Sequence, residues 1–123
     1  MLKTQQLKPL FWVGSAKKDL KTFPAEVQDV FGYALYLAQT GSKHLDAKPL
    51  KGFGGAGVLE IVDDFERRTY RAVYTVKLGD AVYVLHAFQK KSRRGIATRK
   101  EDIELIEQRL KQARTHYEQE YGQ

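Results

Sequence analysis

The segment from Thr69 to Gln89 constrains the fold more than any other part of this 123-residue chain. Two runs of alternating apolar and polar residues, Thr69–Lys77 and Ala81–Gln89, flank the short sequence Leu78-Gly79-Asp80. Alternation with a period of two indicates strands, and a Gly-Asp pair between such runs is typical of a tight hairpin turn. The segment therefore predicts two adjacent antiparallel strands. Both faces of these strands carry apolar residues, which favours a central position in a sheet.

Helix signals occur on both sides of this hairpin. Pro24 suits the first turn of a helix, the residues after it carry an apolar stripe at helical spacing, and Gly41 suits the end of that helix. Ser15 can cap a shorter helix over residues 16–23. Near the C-terminus, Thr98 and Glu101 have the spacing of a capping box, which predicts the start of a long helix.

Two further strands complete the predicted fold. Residues 10–13 and 58–62 are short apolar runs of the kind that form strands, whereas residues 41–56 and 63–68 predict a loop and a turn. The resulting order β-α-α-β-β-β-α predicts an α+β fold with a small antiparallel sheet, an N-terminal helical hairpin and a C-terminal helix. The chain length and the absence of a linker predict one domain over residues 1–123.

Composition narrows the classes of function. The chain has no cysteine, which excludes disulfide frameworks and thiolate chemistry. It has no apolar run that could span a bilayer and no apolar segment of a secretory signal at its start, so we expect a cytoplasmic protein with no membrane partner. The formal net charge is +6, and residues 1–100 carry 18 Lys and Arg against 9 Asp and Glu. This basic body favours an anionic partner, with nucleic acid first among the candidates.

The basic residues cluster where the predicted hairpin ends. Six Lys or Arg and no Asp or Glu fall between Ala81 and Lys100. The alternation of the two strands also sorts their side chains into faces. One face of the first strand is predicted to carry Arg71, Val73, Thr75 and Lys77. One face of the second strand is predicted to carry Val82, Val84, His86, Phe88 and Lys90.

Two side chains of this hairpin suit chemistry on a phosphate, and each also has a purely structural interpretation. Arg71 can hold a phosphate with its fork of donors, or it can form a surface ion pair with an acidic residue of the preceding turn. The acidic residues in question are Asp63, Asp64 and Glu66. His86 can exchange protons near neutral pH, or it can be a hydrogen-bonded histidine at the edge of the sheet.

The end of the second strand offers binding groups with similar alternatives. Phe88 can stack on a nucleobase or pack in the core. The charge run that follows can bind an anion or be merely solvated. Its members are Lys90, Lys91, Arg93 and Arg94.

Metal chemistry has little support in the sequence. His44, His86 and His116 are isolated, with no cysteine and no His-x-x-x-His pair, so we expect neither a metal nor another cofactor. A metal-free cationic site can cleave RNA. The ribose 2′-hydroxyl attacks the adjacent phosphate, a base removes its proton, cations stabilise the developing charge, and an acid protonates the leaving 5′-oxygen.

Three motifs in order resemble those of a known group. The chain reads KPLKGFGGAGVLEIV over residues 48–62, TYRAVYTV over residues 69–76 and AVYVLHAFQKKS over residues 81–92. Together with a C-terminal helix rich in Glu, Arg and Leu, they resemble the RelE/ParE superfamily of toxins. Within it, they are most similar to the phage-derived HigB-like (Tad-type) branch of type II toxin–antitoxin systems. The resemblance covers about residues 8–113, nearly the whole chain.

This resemblance implies a RelE-like fold and a ribosome-dependent endoribonuclease that cuts mRNA without a metal. It implies a catalytic group made of Arg71, His86, Lys90 and Lys91, in which the arginine acts on the phosphate and a lysine supplies a nearby cation. It also implies RNA contacts from Lys48, Lys51, Arg68, Phe88, Arg93 and Arg94. The implied partners are the ribosome, mRNA and a cognate antitoxin with a helix-turn-helix domain, as in HigA.

Two features depart from the family pattern. Glu60 is followed by Ile61 rather than by a basic residue, a loss for which Arg67 or Arg68 can compensate. The chain also ends in a long helix carrying His116, Tyr117 and Tyr121, where many members place a catalytic Tyr or His. Two other functions stay open: a non-catalytic toxin of the gyrase-inhibiting (ParE-like) type, and a plain nucleic-acid-binding domain.

Overall fold

A computed structural model describes residues 6–90 and 98–122. The strands are β1 (Leu10–Trp12), β2 (Lys48–Pro49), β3 (Val58–Phe65), β4 (Arg68–Leu78) and β5 (Ala81–Lys90), and the helices are α1 (Ala16–Leu20), α2 (Ala25–Gln39) and α3 (Lys100–Tyr121). They form one five-stranded sheet in the order β1-β5-β4-β3-β2. The predicted α+β class is confirmed. No helix within the described residues is both long enough and apolar enough to cross a membrane.

The sheet separates two hydrophobic clusters. On one side, which we call the α2 face, Tyr70, Ala72 and Tyr74 of β4 pack with buried residues of α1 and α2. On the other side, the α3 face, Val73 packs with buried residues of α3 such as Ile106. Because both faces of β4 and β5 are covered, these strands are apolar on both sides, as predicted for central strands.

The edges of the sheet differ from the prediction in two ways. β1 runs parallel to β5, and α1, α2 and the strands β2, β3 and β4 lie between them in the chain. Residues 41–56 are not all loop, since Lys48 and Pro49 form β2 and pair with Glu60 and Leu59 of β3. The remaining neighbouring strands are antiparallel.

The turn between β3 and β4 is shorter than predicted. Asp63 and Asp64 belong to β3 rather than to a polar turn, and they pair with Tyr70 and Thr69 of β4. The Thr69 hydroxyl donates to an Asp64 carboxylate oxygen at 2.8 Å, which extends the pairing to the strand end. The turn itself consists of Glu66 and Arg67, both with positive φ, as a tight two-residue hairpin requires.

The helix ends were predicted with mixed success. α2 begins after Pro24 and ends at Gln39, and Gly41 follows with φ of 87°, as expected of a glycine that stops a helix. The predicted capping box of Thr98 and Glu101 is wrong, because α3 begins after Arg99 without a side-chain cap. Thr98 donates its hydroxyl hydrogen to Glu60 of β3 instead, at 3.4 Å.

A β-bulge in β5 decides which way its last residues face. Val73 lies opposite His86, but Tyr74 lies opposite Val84, so Leu85 is an extra residue in β5. Val84 therefore packs on the α2 face, whereas Leu85 packs with α3. The prediction that Val82 and Val84 share a face with His86, Phe88 and Lys90 is wrong, because strict alternation is broken at the bulge.

Arg109 of α3 fixes the backbone at this bulge. Its guanidinium group donates from Nη1 to the Leu85 carbonyl oxygen at 3.0 Å and from Nη2 to the Ser15 hydroxyl oxygen at 3.1 Å. The side chain is buried, with 9% of its surface exposed. β1 pairs with β5 only over Val82–Val84, so Arg109 supplies a donor just where that pairing stops.

Candidate functional site

Because of the bulge, the side chains of His86, Phe88 and Lys90 lie on the same face of the sheet as Arg71. Arg71 of β4 lies opposite Phe88, and Lys90 lies opposite Thr69, two residues earlier on β4. Glu60 continues this row on β3, and Lys48 lies directly opposite Glu60 on β2. Directly paired residues share a face, so the row crosses the α3 face from β5 to β2. The structure thus brings together Arg71, His86, Phe88, Lys90 and Lys48 from the predicted site.

Arg71 is held by a carboxylate that the sequence prediction did not choose. Its Nη1 lies 2.5 Å from Glu60 Oε2, and both side chains are largely buried. Thr98 joins the pair, with its hydroxyl oxygen 3.4 Å from each group. The acidic residues considered as structural partners of Arg71 were Asp63, Asp64 and Glu66, whereas the carboxylate bonded to its Nη1 is that of Glu60. Glu60 can bind Arg71 because it lies diagonally across from Arg71 on the same face of the sheet.

Lys90 is a buried cation beside this pair. Only 5% of its surface is exposed, and its Nζ has no hydrogen-bond partner within residues 6–90 and 98–122. Burial lowers the pKa of Lys90, and the positive charge of Arg71 acts in the same direction. Lys90 is therefore a stronger acid than an exposed lysine.

His86 is oriented by a carboxylate from α3. Its Nε2 lies 2.9 Å from Asp102 Oδ1, and its ring stacks on Phe88 with the centroids 4.4 Å apart. Because a carboxylate only accepts, Nε2 carries the hydrogen and Nδ1 carries the lone pair. Burial lowers the pKa of His86, although the bond to Asp102 acts in the opposite direction. The neutral imidazole can thus accept a proton at Nδ1, which has no partner among the described residues.

The first turn of α3 covers this group of side chains. Arg71, His86 and Lys90 are each between 5% and 7% exposed. Thr98 contacts Arg71, and Asp102 contacts His86 from the side of α3. A ligand that approaches from the side of α3 must therefore displace these contacts.

The other predicted RNA-binding residues are distributed more widely. Lys48 and Lys51 are exposed, the second in the turn that follows β2. Arg68 is exposed on β4, and by alternation it points to the α2 face, away from Arg71. Lys91, Arg93 and Arg94 lie outside the described residues.

The aromatic and histidine residues at the C-terminus do not approach this site. His116 Nδ1 lies 2.7 Å from the Tyr83 hydroxyl, in a cluster with Phe11 near the start of β5. Tyr117 lies against Gly79 in the β4–β5 turn. They belong to the opposite end of the α3 face from His86 and Asp102.

A cavity of about 570 Å³ opens at the edge of β5 beside this site. It lies between the β4–β5 pair and the turn that joins α1 to α2. Three predicted site residues line it together, namely Arg68, His86 and Phe88. Asp19, Thr22 and Gln89 supply further polar groups.

Comparison with known proteins gives one finding that decides the family. A family model for phage-derived proteins of the Gp49-like type matches residues 18–111, about three quarters of the chain. The chain belongs to the Gp49-like family. This is a family of toxins of toxin–antitoxin systems related to RelE-like proteins. No curated protein and no solved structure matches the chain significantly.

The matched part of this Gp49-like protein contains the whole site described above. Arg71, His86, Lys90 and Asp102 lie within it, whereas β1 and His116 lie outside. Among residues 6–90 and 98–122, no group of three or more His, Cys, Asp or Glu is arranged to hold a metal ion.

Three residues of the site were missed as site residues. Glu60 was noted only because a basic residue was absent after it, and its pairing with Arg71 depends on strand register. Thr98 and Asp102 approach through the packing of α3 on the sheet. The spacing of residues along the chain gives no signal for either contact.

Proposed function

We propose that this Gp49-like protein is the toxin of a type II toxin–antitoxin system and cleaves mRNA without a metal. The observation that carries the proposal is the bulge at Leu85, which places His86 and Lys90 on the same face as Arg71. A proton acceptor, a proton donor and a phosphate-binding cation then lie on two neighbouring strands. This is the set of groups that RNA cleavage by the 2′-hydroxyl needs.

Each side chain has a role that follows from its surroundings. His86 Nδ1 takes the proton of the 2′-hydroxyl, while Asp102 fixes the tautomer and orientation of the ring, as carboxylates do in other carboxylate–histidine pairs. The 2′-oxygen then forms a bond to phosphorus and the bond to the 5′-oxygen breaks. Lys90, made more acidic by burial, gives its proton to that 5′-oxygen. Arg71 binds the phosphate and stabilises its added negative charge.

Substrate must first displace the contacts that cover these groups. A phosphate has the charge to replace Glu60 as the partner of Arg71, because both are oxyanions that accept two guanidinium hydrogen bonds. We infer that a ribosome-bound message supplies the binding energy for this exchange. Exposed Lys48 adds positive charge on the β2 side of the same face, and exposed Lys51 lies in the turn that follows β2.

Cleavage in a purified translation system tests the proposal. We expect Arg71→Ala to lower the rate of cleavage of ribosome-bound mRNA by about a hundredfold or more, since one charge-stabilising donor contributes on this scale. His86→Gln and Lys90→Ala should also lower it strongly. Lys111→Ala is the matched control, because it removes a cation from the exposed side of α3. Circular dichroism and urea unfolding establish that each variant folds.

The pH dependence separates the two proton-transfer roles. The rate should rise with pH through a value below 6.5, as His86 loses its proton, and fall through a value below 10.5, as Lys90 loses its own. Asp102→Asn should shift the acid limb more than the alkaline limb, because Asp102 is hydrogen-bonded to His86 and acts on Lys90 only through its charge. Cleavage that survives Arg71→Ala and Lys90→Ala together would refute the assigned site.

The same experiment distinguishes the alternative functions. Growth arrest with intact mRNA would indicate a toxin of the gyrase-inhibiting kind, and expression without growth arrest would indicate a plain nucleic-acid-binding domain. We also propose that the antitoxin is a helix-turn-helix protein encoded beside the toxin. Co-expression of that neighbouring gene should restore growth and yield a stable complex.

A further inference from the structure

The cavity at the β5 edge has the size and position of a ligand site. Its volume of about 570 Å³ falls within the range of roughly 300–1,000 Å³ typical of small-molecule pockets. β1 stops pairing with β5 at Val84, so within the described part of the chain no strand pairs with Gln89 on that side. Along the cavity, no strand of the described residues therefore covers this edge of β5, which would let its backbone groups bind a ligand.

Two residues connect the cavity to the cations on the α3 face, namely Lys90, Arg71 and Lys48, which we call the cationic row. His86 and Phe88 line the cavity, yet His86 is hydrogen-bonded to Asp102 of α3 and Phe88 lies opposite Arg71. A single RNA strand that crosses the β5 edge would therefore meet both places. Its phosphate would lie toward Arg71 and an adjoining base would lie in the cavity.

The polar groups of the cavity match the edge of a nucleobase. Asp19 is held in place because its Oδ2 accepts the Ser15 hydroxyl hydrogen at 2.7 Å, and the carboxylate keeps further lone pairs for a ligand. Thr22 and Gln89 are exposed. The Thr22 hydroxyl donates its hydrogen to the Asp19 backbone carbonyl oxygen at 2.6 Å and keeps lone pairs for a ligand, whereas the Gln89 amide can both donate and accept. Exposed Arg68 can stack on a base or bind the next phosphate.

Asp19 determines which bases this cavity can prefer. A carboxylate accepts hydrogen bonds and cannot donate them, so it favours a base with an exocyclic amino group, as it does with cytosine N4. Adenine, cytosine and guanine carry such a group. Uracil does not, and its single donor on that edge, N3–H, is flanked by two carbonyl oxygens that would face the negative charge.

We propose that this cavity binds an amino-bearing base of the substrate RNA, next to the phosphate that Arg71 holds. The proposal rests on the proposed function, because it takes RNA to be the substrate. It assigns Asp19 as a specificity residue and predicts that the cleaved sequences contain A, C or G, and seldom U, at one position beside the cut.

Nuclear magnetic resonance with the four nucleoside 5′-monophosphates tests the site directly. We expect amide shifts at Thr22, Ala87 and Gln89, with Kd values for AMP, CMP or GMP at least about fivefold lower than for UMP. Asp19→Asn should bring this ratio close to one, while its amide oxygen still accepts from Ser15. Asp29→Asn removes the same charge from an exposed position on α2 outside the cavity and should leave the ratio unchanged.

Three outcomes would overturn the proposal: equal affinities for all four nucleotides, shifts confined to residues away from the cavity, or a ratio that Asp19→Asn leaves intact. Sequencing of cleavage ends then separates this inference from the proposed function. Nucleotide binding in the cavity without any RNA cleavage would refute the function alone. Two results would refute the inference alone: mRNA cleavage by a protein whose cavity residues show no amide shifts with nucleotides, or mRNA cleavage with uracil freely accepted beside the cut.

Discussion

Replacing Arg109 by methionine tests whether the bulge in β5 depends on a contact from α3. Arg109 is buried and donates to the Leu85 carbonyl oxygen at 3.0 Å. Methionine keeps an unbranched apolar side chain at this position but is shorter and cannot donate, so the carbonyl of the bulge loses its donor beneath α3. We expect the variant to fold less stably, because a buried polar group without a partner costs free energy.

The magnitude follows from the two hydrogen bonds. Leaving the Leu85 carbonyl unpaired costs about 1–3 kcal/mol. Ser15 loses little, because its hydroxyl still donates to Asp19 at 2.7 Å. Removing a buried charge returns part of the loss, since burying the guanidinium itself was unfavourable. We therefore expect a net loss of about 1–2 kcal/mol, or roughly 4–8 °C in Tm for a chain of this size.

Urea unfolding followed by fluorescence measures this loss. Trp12 is the single tryptophan and lies on β1, which pairs with β5 next to the bulge. The midpoint should fall while the slope with urea stays the same, as expected for a change in stability alone. Arg114→Met is the matched control, since Arg114 is exposed on the same helix. A loss no larger than that of the control would refute the role given to Arg109.

Two further predictions concern buried polar groups. The Tyr74 hydroxyl is buried without a hydrogen-bond partner among residues 6–90 and 98–122, and burial raises its pKa to about 12. Tyr74→Phe should therefore raise the free energy of unfolding, measured in urea, by about 1 kcal/mol. A clear loss of stability would contradict this reasoning. Burial lowers the pKa of His86 from 6.5, so the unfolded chain binds a proton more readily than the folded chain. The stability from the neutral imidazole is then present above pH 6.5 and is lost as the pH falls toward the folded pKa. The free energy of unfolding should fall more steeply on acidification in the unmodified chain than in His86→Gln, and parallel curves would show that His86 is not the group responsible.

The elements with a strong period were predictable from the sequence. β4 and β5 alternate over many residues, and α2 carries one apolar stripe between Pro24 and Gly41. Each of these signals is local, since it depends only on the spacing of residues along one element. The family resemblance added the prediction of a whole α+β fold, which the observed sheet and helices confirm.

The contacts of the site could not be predicted in the same way. The bulge at Leu85 leaves the residue pattern of β5 unchanged but reverses the face of every later side chain. The structural alternative for Arg71 named nearby acidic residues, whereas the carboxylate of Glu60 reaches it because of the strand register. Asp102 contacts His86 because of the position at which α3 packs along β5, which no local pattern specifies. The catalytic roles of these residues stay predictions.

The two-residue strand β2 also has a consequence for how the protein behaves at high concentration. A sheet that ended at β3 would present the backbone groups of Leu59 and Glu60 to any passing chain. β2 covers them with Lys48 and Pro49, both exposed. A proline cannot donate a backbone hydrogen bond and a lysine repels its own copies, so the new edge is a poor template for a further strand. The same lysine that lies in the cationic row thus helps to keep copies of this sheet from joining edge to edge.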